Sequence, residues 1–395
     1  MRLSVLLAAT ALTAACGGGG GDPGAPLGST GVLRLALTDA PACGLETAFV
    51  TVERVRVHRS ATAGEGDAGW EELVLPTPQR VDLLSLTNGT LMPLGERRLP
   101  TGTYTQLRLV LAPNTPANPL ANAVKPIGGA EVPLTTPSGQ QSGLKLNVNL
   151  EVPPERLADF ALDFDACKSF VYAGNSGQIL LKPVIAVIPI LSDLGQRIEG
   201  YVAPGLVAAG ARVSAQSAGV PARETPVRAD GSFSLFPVPA GSYDLVITAS
   251  GRVNAVITGV PVVNTAFTTL GSPTARIDTP TSAASHAVTG TVRVNNGTAD
   301  TGGVVRATQS LTGGPAGVEV GSANANAVSG LYGLTLPAGA PVKLAYVAGA
   351  TSFPFVADPA NAGKYRLLAT ATGFATPVPA DITLAGPLTQ DFVFP

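Results

Sequence analysis

Charge, aromatic rings and histidine are all scarce in this chain. Only 13% of its 395 residues are charged, 5% are aromatic and two are histidine. The formal net charge is −2, and Lys and Arg form no basic run. A nucleic-acid binder needs clustered cations to replace counterions on phosphates, so that class of partner is excluded. His58 and His286 fall in different parts of the chain, against a histidine-based hydrolase triad and against a histidine-rich zinc site. The glycine run from 17 to 21 lacks the Lys-Ser/Thr of a phosphate-binding loop. No segment is long and apolar enough to span a bilayer as a helix, and no cofactor is implied.

Apolar residues and turn formers are plentiful. Hydrophobic residues make up 45%, with 46 Gly and 34 Pro that follow no collagen-like period. Short strands punctuated by turns are the expected outcome, in a chain long enough for two to four domains. The fold class read from this pattern is all-β, with antiparallel β-sandwich modules in tandem.

The N-terminus reads as an address. Arg2 supplies one positive charge, residues 5–12 are apolar, and Thr13-Ala14-Ala15 lead to Cys16. This resembles a bacterial lipoprotein signal, in which cleavage leaves a cysteine that then receives lipid. It departs from the family in having Thr13, not Leu, three residues before the cysteine. The alternative is an ordinary secretory signal cut after Ala15. Lipidation implies a signal peptide over 1–15 and a flexible tether over 16–30, rich in Gly, Pro and Ser. The membrane would then be a partner through lipid on Cys16. Gly17 after the cysteine resembles the outer-membrane sorting pattern. The two remaining cysteines, Cys43 and Cys167, suit one disulfide in an oxidising compartment; two buried thiols are the alternative. Neither has a Cys or His at metal-ligand spacing.

From residue 31 the strands follow one another. Leu33, Leu35 and Leu37 alternate with smaller or polar residues. Val50, Val52, Val55 and Val57 alternate too, with a slip at Glu53-Arg54 that a β-bulge reconciles. A strand over 70–75 ends at Pro76, residues 80–86 suit a strand or a helical turn, and Asn88-Gly89 marks a turn. Six segments in order carry a resemblance: Leu37-Thr38-Asp39-Ala40-Pro41, Val81-Asp82-Leu83-Leu84-Ser85-Leu86, Leu99-Pro100-Thr101-Gly102-Thr103-Tyr104, Ser142-Gly143-Leu144-Lys145-Leu146, Leu162-Asp163-Phe164-Asp165-Ala166 and Leu181-Lys182-Pro183-Val184. Residues 31–190 resemble domain-of-unknown-function family 4382, a bacterial lipoprotein module, and the β-rich domain is expected over 31–191. The resemblance implies an exported, β-rich domain without an established activity.

Further on, the run Asp230-Gly231-Ser232-Phe233-Ser234-Leu235 and the run Val238-Pro239-Ala240-Gly241-Ser242-Tyr243 resemble transthyretin-like or carboxypeptidase-regulatory-like sandwiches, over residues 196–271. A diverged second copy is expected over 286–395, after a Ser-, Thr- and Pro-rich linker at 272–285. Lys364-Tyr365-Arg366-Leu367-Leu368-Ala369 is its counterpart of the Tyr243 strand.

Candidate chemistry is thin, and no catalytic residue is assigned. Asp163 and Asp165 stand two apart on a strand and are expected to share a face, with Phe160, Leu162 and Phe164 on the core side. Asp39 would approach them if Cys43 bonds Cys167, and three carboxylates suit Ca²⁺. The alternative is a solvated face, or pairing with Lys145 or Lys168. Paired-carboxylate hydrolase chemistry is a further alternative. Trp70, the one tryptophan, would stack on a glycan or fill a core edge. The function expected is therefore a non-catalytic outer-membrane lipoprotein scaffold. A glycan or another envelope protein is the expected partner; a carbohydrate- or Ca²⁺-dependent binding module is the rival.

Overall fold

A computed structural model describes residues 29–39, 45–136, 142–173, 178–192, 194–294, 298–299, 303–371 and 373–395. The first module contains β1 (Thr30–Asp39), β2 (Leu45–His58), β3 (Glu71–Asp82), β4 (Met92–Pro100), β5 (Gly102–Leu111), β6 (Ala123–Pro126), β7 (Val132–Thr135), β8 (Leu144–Val152), β9 (Leu157–Phe164), the short helix α1 (Ala166–Ser169), β10 (Phe170–Ala173), β11 (Gln178–Leu181) and β12 (Ile185–Pro189). The alternating leucines of β1 and valines of β2 are buried in one core with Tyr104, Leu107, Leu109 and Phe164. Burying each such Leu or Val fully contributes about 1.5–3 kcal/mol. A one-residue slip would turn a whole row to solvent, which fixes the register. The bulge expected at Glu53-Arg54 is there: the pairing of β2 with both β3 and β5 shifts between Val52 and Arg54.

Pro76 does not end β3. Among the described residues the strand is on the edge, paired only with β2, and its register jumps from Gln79 opposite Val52 to Val74 opposite Arg54. Residues 75–78 therefore bow off the ladder, where the missing N–H groups of Pro76 and Pro78 break no bond.

The middle module holds β13 (Ile198–Tyr201), α2 (Pro204–Ala208), β14 (Arg212–Ser217), β15 (Val220–Pro226), β16 (Ser232–Leu235), β17 (Gly241–Thr248), β18 (Ala255–Val262) and β19 (Thr268–Leu270). The last holds β20 (Ser285–Val294), β21 (Thr298–Ala299), β22 (Val304–Gln309), β23 (Val318–Asn324), β24 (Leu331–Pro337), β25 (Val342–Ala345), β26 (Val356–Ala357), β27 (Lys364–Thr370), β28 (Val378–Thr383), β29 (Leu388–Thr389) and β30 (Phe392–Phe394).

All three modules share one strand plan, not only the two expected from sequence. One sheet contains the fourth, first and last core strands in that order: β4-β1-β9, β16-β13-β19, and β24-β20 with β29 and β30. The other contains β3-β2-β5-β8, β15-β14-β17-β18 and β23-β22-β27-β28. The sandwiches are mainly antiparallel, but the first and last strands of each run parallel. Each module buries its own core.

A tyrosine recurs at the same corner. Tyr104 donates its hydroxyl to Pro100 O at 2.9 Å, and Tyr243 donates to Pro239 O at 2.8 Å. In the last module the run Leu336-Pro337-Ala338-Gly339 lacks a tyrosine at that spacing. Tyr365 supplies the bond to Pro337 O instead, from β27. The chain between Gly339 and Gly363 is thus an insertion, and β25 within it pairs parallel with β18 of the middle module. Residues 342–345, assigned from sequence to the last module, extend the sheet of the middle one, where Val342 joins the core. The segment 272–285, read as a linker, also packs: Ile277 is fully buried and its N–H bonds Tyr201 O.

Burial pushes the Tyr243 and Tyr365 phenols up, as expected of groups that donate and stay neutral. Tyr243→Phe should lose about 1 kcal/mol of unfolding free energy by deleting one hydrogen bond. Tyr365→Phe should lose more, because Asn254 also bonds that hydroxyl. Urea unfolding of the full chain checks both; an unchanged midpoint for both variants would remove the corner's role.

Candidate functional site at the module junction

The polar groups singled out from sequence lie where the modules meet. β9 ends at Phe164, so Asp163 and Asp165 do not share a strand face. Asp165 caps α1, accepting from the Lys168 N–H at 3.1 Å, and its carboxylate pairs with Lys168 Nζ at 2.8 Å. Asp163 is buried, as is Asp39 at the end of β1. Asp39 accepts from the Ala166 N–H at 3.1 Å. Phe160, Leu162 and Phe164 are core, as expected.

The cation that Asp163 meets is Arg223, on β15 of the middle module. Sequence reasoning missed it, because a strand over Val220–Pro226 flanked by prolines gives little alternation signal. The Arg223 side chain is almost wholly buried. Its Nη1 pairs with Asp163, Nη2 donates to Thr38 Oγ1 at 2.6 Å, and Nε donates to Phe236 O at 3.2 Å. Thr38 passes the chain on, donating to Leu86 O at 3.1 Å. Burial lowers the Arg223 pKa to about 10, against the Asp39 charge that raises it. A buried guanidinium is tolerated only with such partners.

The Asn88-Gly89 turn docks on the same module. Asn88 donates from its backbone N–H to Thr225 Oγ1 at 2.9 Å and from Nδ2 to Pro226 O at 3.0 Å. Its Oδ1 accepts from Ser234 N–H at 3.1 Å. Gly89 has φ +77°, and a Cβ there would stand 3.1 Å from Phe236 Cβ. Both conformation and space demand glycine.

The third module closes the ring of contacts. Gln216 clamps β23 through its amide: Nε2 donates to Glu319 O at 2.7 Å and Oε1 accepts from Glu319 N–H at 2.8 Å. The Glu319 carboxylate pairs with Arg306 at 2.5 Å and with Lys168 of the first module at 3.5 Å. Val246, Val256, Leu311 and Val318 bury an apolar seam between the second and third modules. Between first and third, Ala327 N–H donates to Tyr172 O at 2.8 Å and Asn324 Nδ2 to Phe170 O at 3.0 Å. Asp165, Lys168, Arg212, Glu224 and Glu319 surround a cavity of about 50 Å³, room for a water or two. Arg212 pairs with Glu224 at 2.9 Å. Burial pushes the Glu224 carboxyl up, with the Arg212 charge opposing.

The other candidates serve structure. Arg56 and Arg108 stack on the Trp70 ring at 4.6 and 4.8 Å, and His58 lies 5.0 Å from it. Trp70 Nε1 donates to Gly64 O at 2.9 Å, pinning the 59–69 loop. Among the described residues no three His, Cys, Asp or Glu side chains group closely enough to hold a metal. Of the three carboxylates considered for Ca²⁺, Asp163 pairs with Arg223 and Asp165 with Lys168. No described helix is long and apolar enough to cross a membrane. Cys16 and Cys43, and the side chain of Cys167, lie outside the described residues.

Arg223→Met should cost about 3–5 kcal/mol, since it strands buried carboxylate charge. Adding Asp163→Leu should recover most of it; denaturant unfolding of the single and double variants measures both, and equal loss in the two would sink the pairing. Lys168 gives a pH signature. Burial lowers its pKa, but the charges of Asp165 and Glu319 outweigh this and hold it raised. Its contribution is therefore present below the ordinary lysine value of about 10.4 and is lost as pH rises through the raised one. Thermal unfolding across the alkaline range should fall less steeply for Lys168→Met than for the parent chain.

No curated protein matches the chain. Solved structures similar to it include a cohesin–X-dockerin complex from Acetivibrio cellulolyticus, at 22% identity and TM-score 0.17, over 20% of this chain and 53% of that one. A Streptococcal ancillary pilin is similar at 9% identity and TM-score 0.17, over 91% of this chain and 99% of that one. A putative adhesin from Bacteroides ovatus is similar at 10% identity and TM-score 0.18, over 51% and 93%. These likenesses are too slight to assign a function. By sequence, residues 30–183 match the family described as "Domain of unknown function (DUF4382)", which covers the first sandwich up to β11.

Proposed function

We propose that the chain is a non-catalytic scaffold of the bacterial envelope, anchored to the outer membrane by lipid on Cys16. The observation that carries the scaffold reading is the junction itself. The polar side chains that converge there, Asp163, Arg223, Lys168, Glu319 and Gln216, are occupied with one another across module boundaries. Groups spent in this way hold three sandwiches as one body instead of facing a substrate. The anchor rests on the N-terminal pattern, a short apolar run and small residues directly before Cys16.

A disulfide between Cys43 and Cys167 belongs to the same reading, since it requires export. It is supported by the bond between Asp39 and the Ala166 N–H, which joins the residue just before Cys167 to the end of β1, shortly before Cys43 in the sequence. Closing so long a loop contributes about 4–5 kcal/mol in the chain-entropy model.

Cys16→Ser should move the protein from the membrane pellet to the soluble periplasmic fraction; retention in the pellet would count against the anchor. Alkylation and intact mass without reductant should find neither Cys43 nor Cys167 labelled, and labelling of both would end the disulfide.

A further inference from the structure

The chain enters its first sandwich at Thr30, the start of β1. Because β9 runs parallel to β1 and β12 antiparallel to β9, the start of β9 and the end of β12 lie at that same end. Leu157 opens β9 opposite Val32, and Ile190, just past β12, donates its N–H to Asp159 O at 2.8 Å. The passage to the middle sandwich is made at this end too. Gln196 ties it together: Nε2 donates to Pro189 O at 3.0 Å, Oε1 accepts from Leu191 N–H at 2.6 Å, and the backbone N–H donates to Val263 O at 2.8 Å. Gly195 lies so close to the loop joining β18 to β19 that a Cβ there would stand 2.1 Å from the Asn264 carbonyl carbon.

This end is apolar on its outside. Leu191 and Leu194 are 65% and 71% exposed, and Leu157, Val263 and Phe267 are close to half exposed. Single exposed aliphatic groups are ordinary, but five gathered at one end of a molecule mark a contact surface. Two observations select a bilayer as what covers it. Residues 17–28 separate Cys16 from Ser29, and that length of chain reaches no further than about 45 Å fully extended. Lipid on Cys16 therefore keeps the start of β1, and the apolar groups beside it, near the membrane. Arg97, opposite Leu33, and Arg156, next to Leu157, are also exposed at this end and suit lipid phosphates.

We propose that this end of the molecule rests on a phospholipid surface, with Leu157, Leu191, Leu194, Val263 and Phe267 dipping below the headgroups as a second, reversible membrane contact. The choice of partner rests on the lipid-anchor reading. The contact itself is tested on protein without the anchor, so each can fail alone.

The test uses the Cys16→Ser chain, exported behind an ordinary cleavable leader in place of residues 1–15, and vesicles of phosphatidylethanolamine and phosphatidylglycerol. Contact through a few side chains is weak, so this protein washes free of membranes in cell fractionation but is captured at excess lipid. Cosedimentation should rise with lipid to saturation. Leu191→Glu combined with Leu194→Glu should weaken partition at least about tenfold, the worth of roughly one buried leucine. Both side chains are exposed, so the thermal midpoint should stay put. Leu331→Glu, at an exposed leucine of the third module, should leave binding unchanged. Leu194→Trp should add an emission blue shift on vesicles, and quenching by brominated acyl chains, beyond what Trp70 of the parent shows. Vesicle binding by this chain, alongside a native chain whose mass shows no lipid, would remove the anchor and keep the contact. No capture at excess lipid, an equal loss in the Leu331 variant, or no added quenching for Leu194→Trp would each overturn the proposal. So would self-association abolished by the same two leucine changes, which would make a second copy of the chain the occupant.

Discussion

A guanidinium cannot be left alone in a protein interior, and the arrangement of this molecule depends on how Arg223 escapes that fate. The middle module supplies the charge, and the first supplies Asp163 and the Thr38 hydroxyl. Within its own module Arg223 has only the Phe236 carbonyl among these partners, and the opposite charge comes from across the boundary. Separation would leave a carboxylate and a guanidinium each to be resolvated, while association leaves them paired in a dry seam. Such a pair adds less net stability than its Coulomb energy suggests. Its stronger effect is on choice: only one docking of the two sandwiches matches acid to base.

Around that pair the same logic repeats with weaker groups. Glu319 meets a lysine from one module, an amide from another and an arginine of its own. A tandem of sandwiches joined by loops would leave its modules free to swing. Here each module touches both others, through polar bonds at the centre and an apolar seam at Val246, Val256, Leu311 and Val318. The repeated plan builds the parts, and the divergent side chains decide how they fit.

Much of the fold was legible in local pattern. Alternating leucines and valines announced strands, the slipped phase at Glu53-Arg54 announced a bulge, and Asn88-Gly89 announced a turn. The kinship of the first module with the others was written in Leu99-Pro100-Thr101-Gly102-Thr103-Tyr104 beside Val238-Pro239-Ala240-Gly241-Ser242-Tyr243, but the third copy hides its tyrosine behind an insertion. The junction was less legible. Asp163 and Asp165 satisfy the two-residue rule for a shared face only while the strand lasts, and it stops between them. Arg223 lies on a short strand between prolines, with its partner sixty residues away, and no periodicity links the two. Local rules report which way a side chain points from its own strand; they carry no information on which neighbour will cover it.

The strand that the last module lends to the middle one has a bearing on how the chain matures. Synthesis runs from the N-terminus, so β18 is complete well before Val342 leaves the ribosome. During that interval the middle sheet waits with one flank bare, in the state most prone to pairing with a stranger. Its finished form is thus a property of the whole polypeptide. A nascent chain stalled before residue 342 would be a sticky intermediate, the natural client of a holding chaperone.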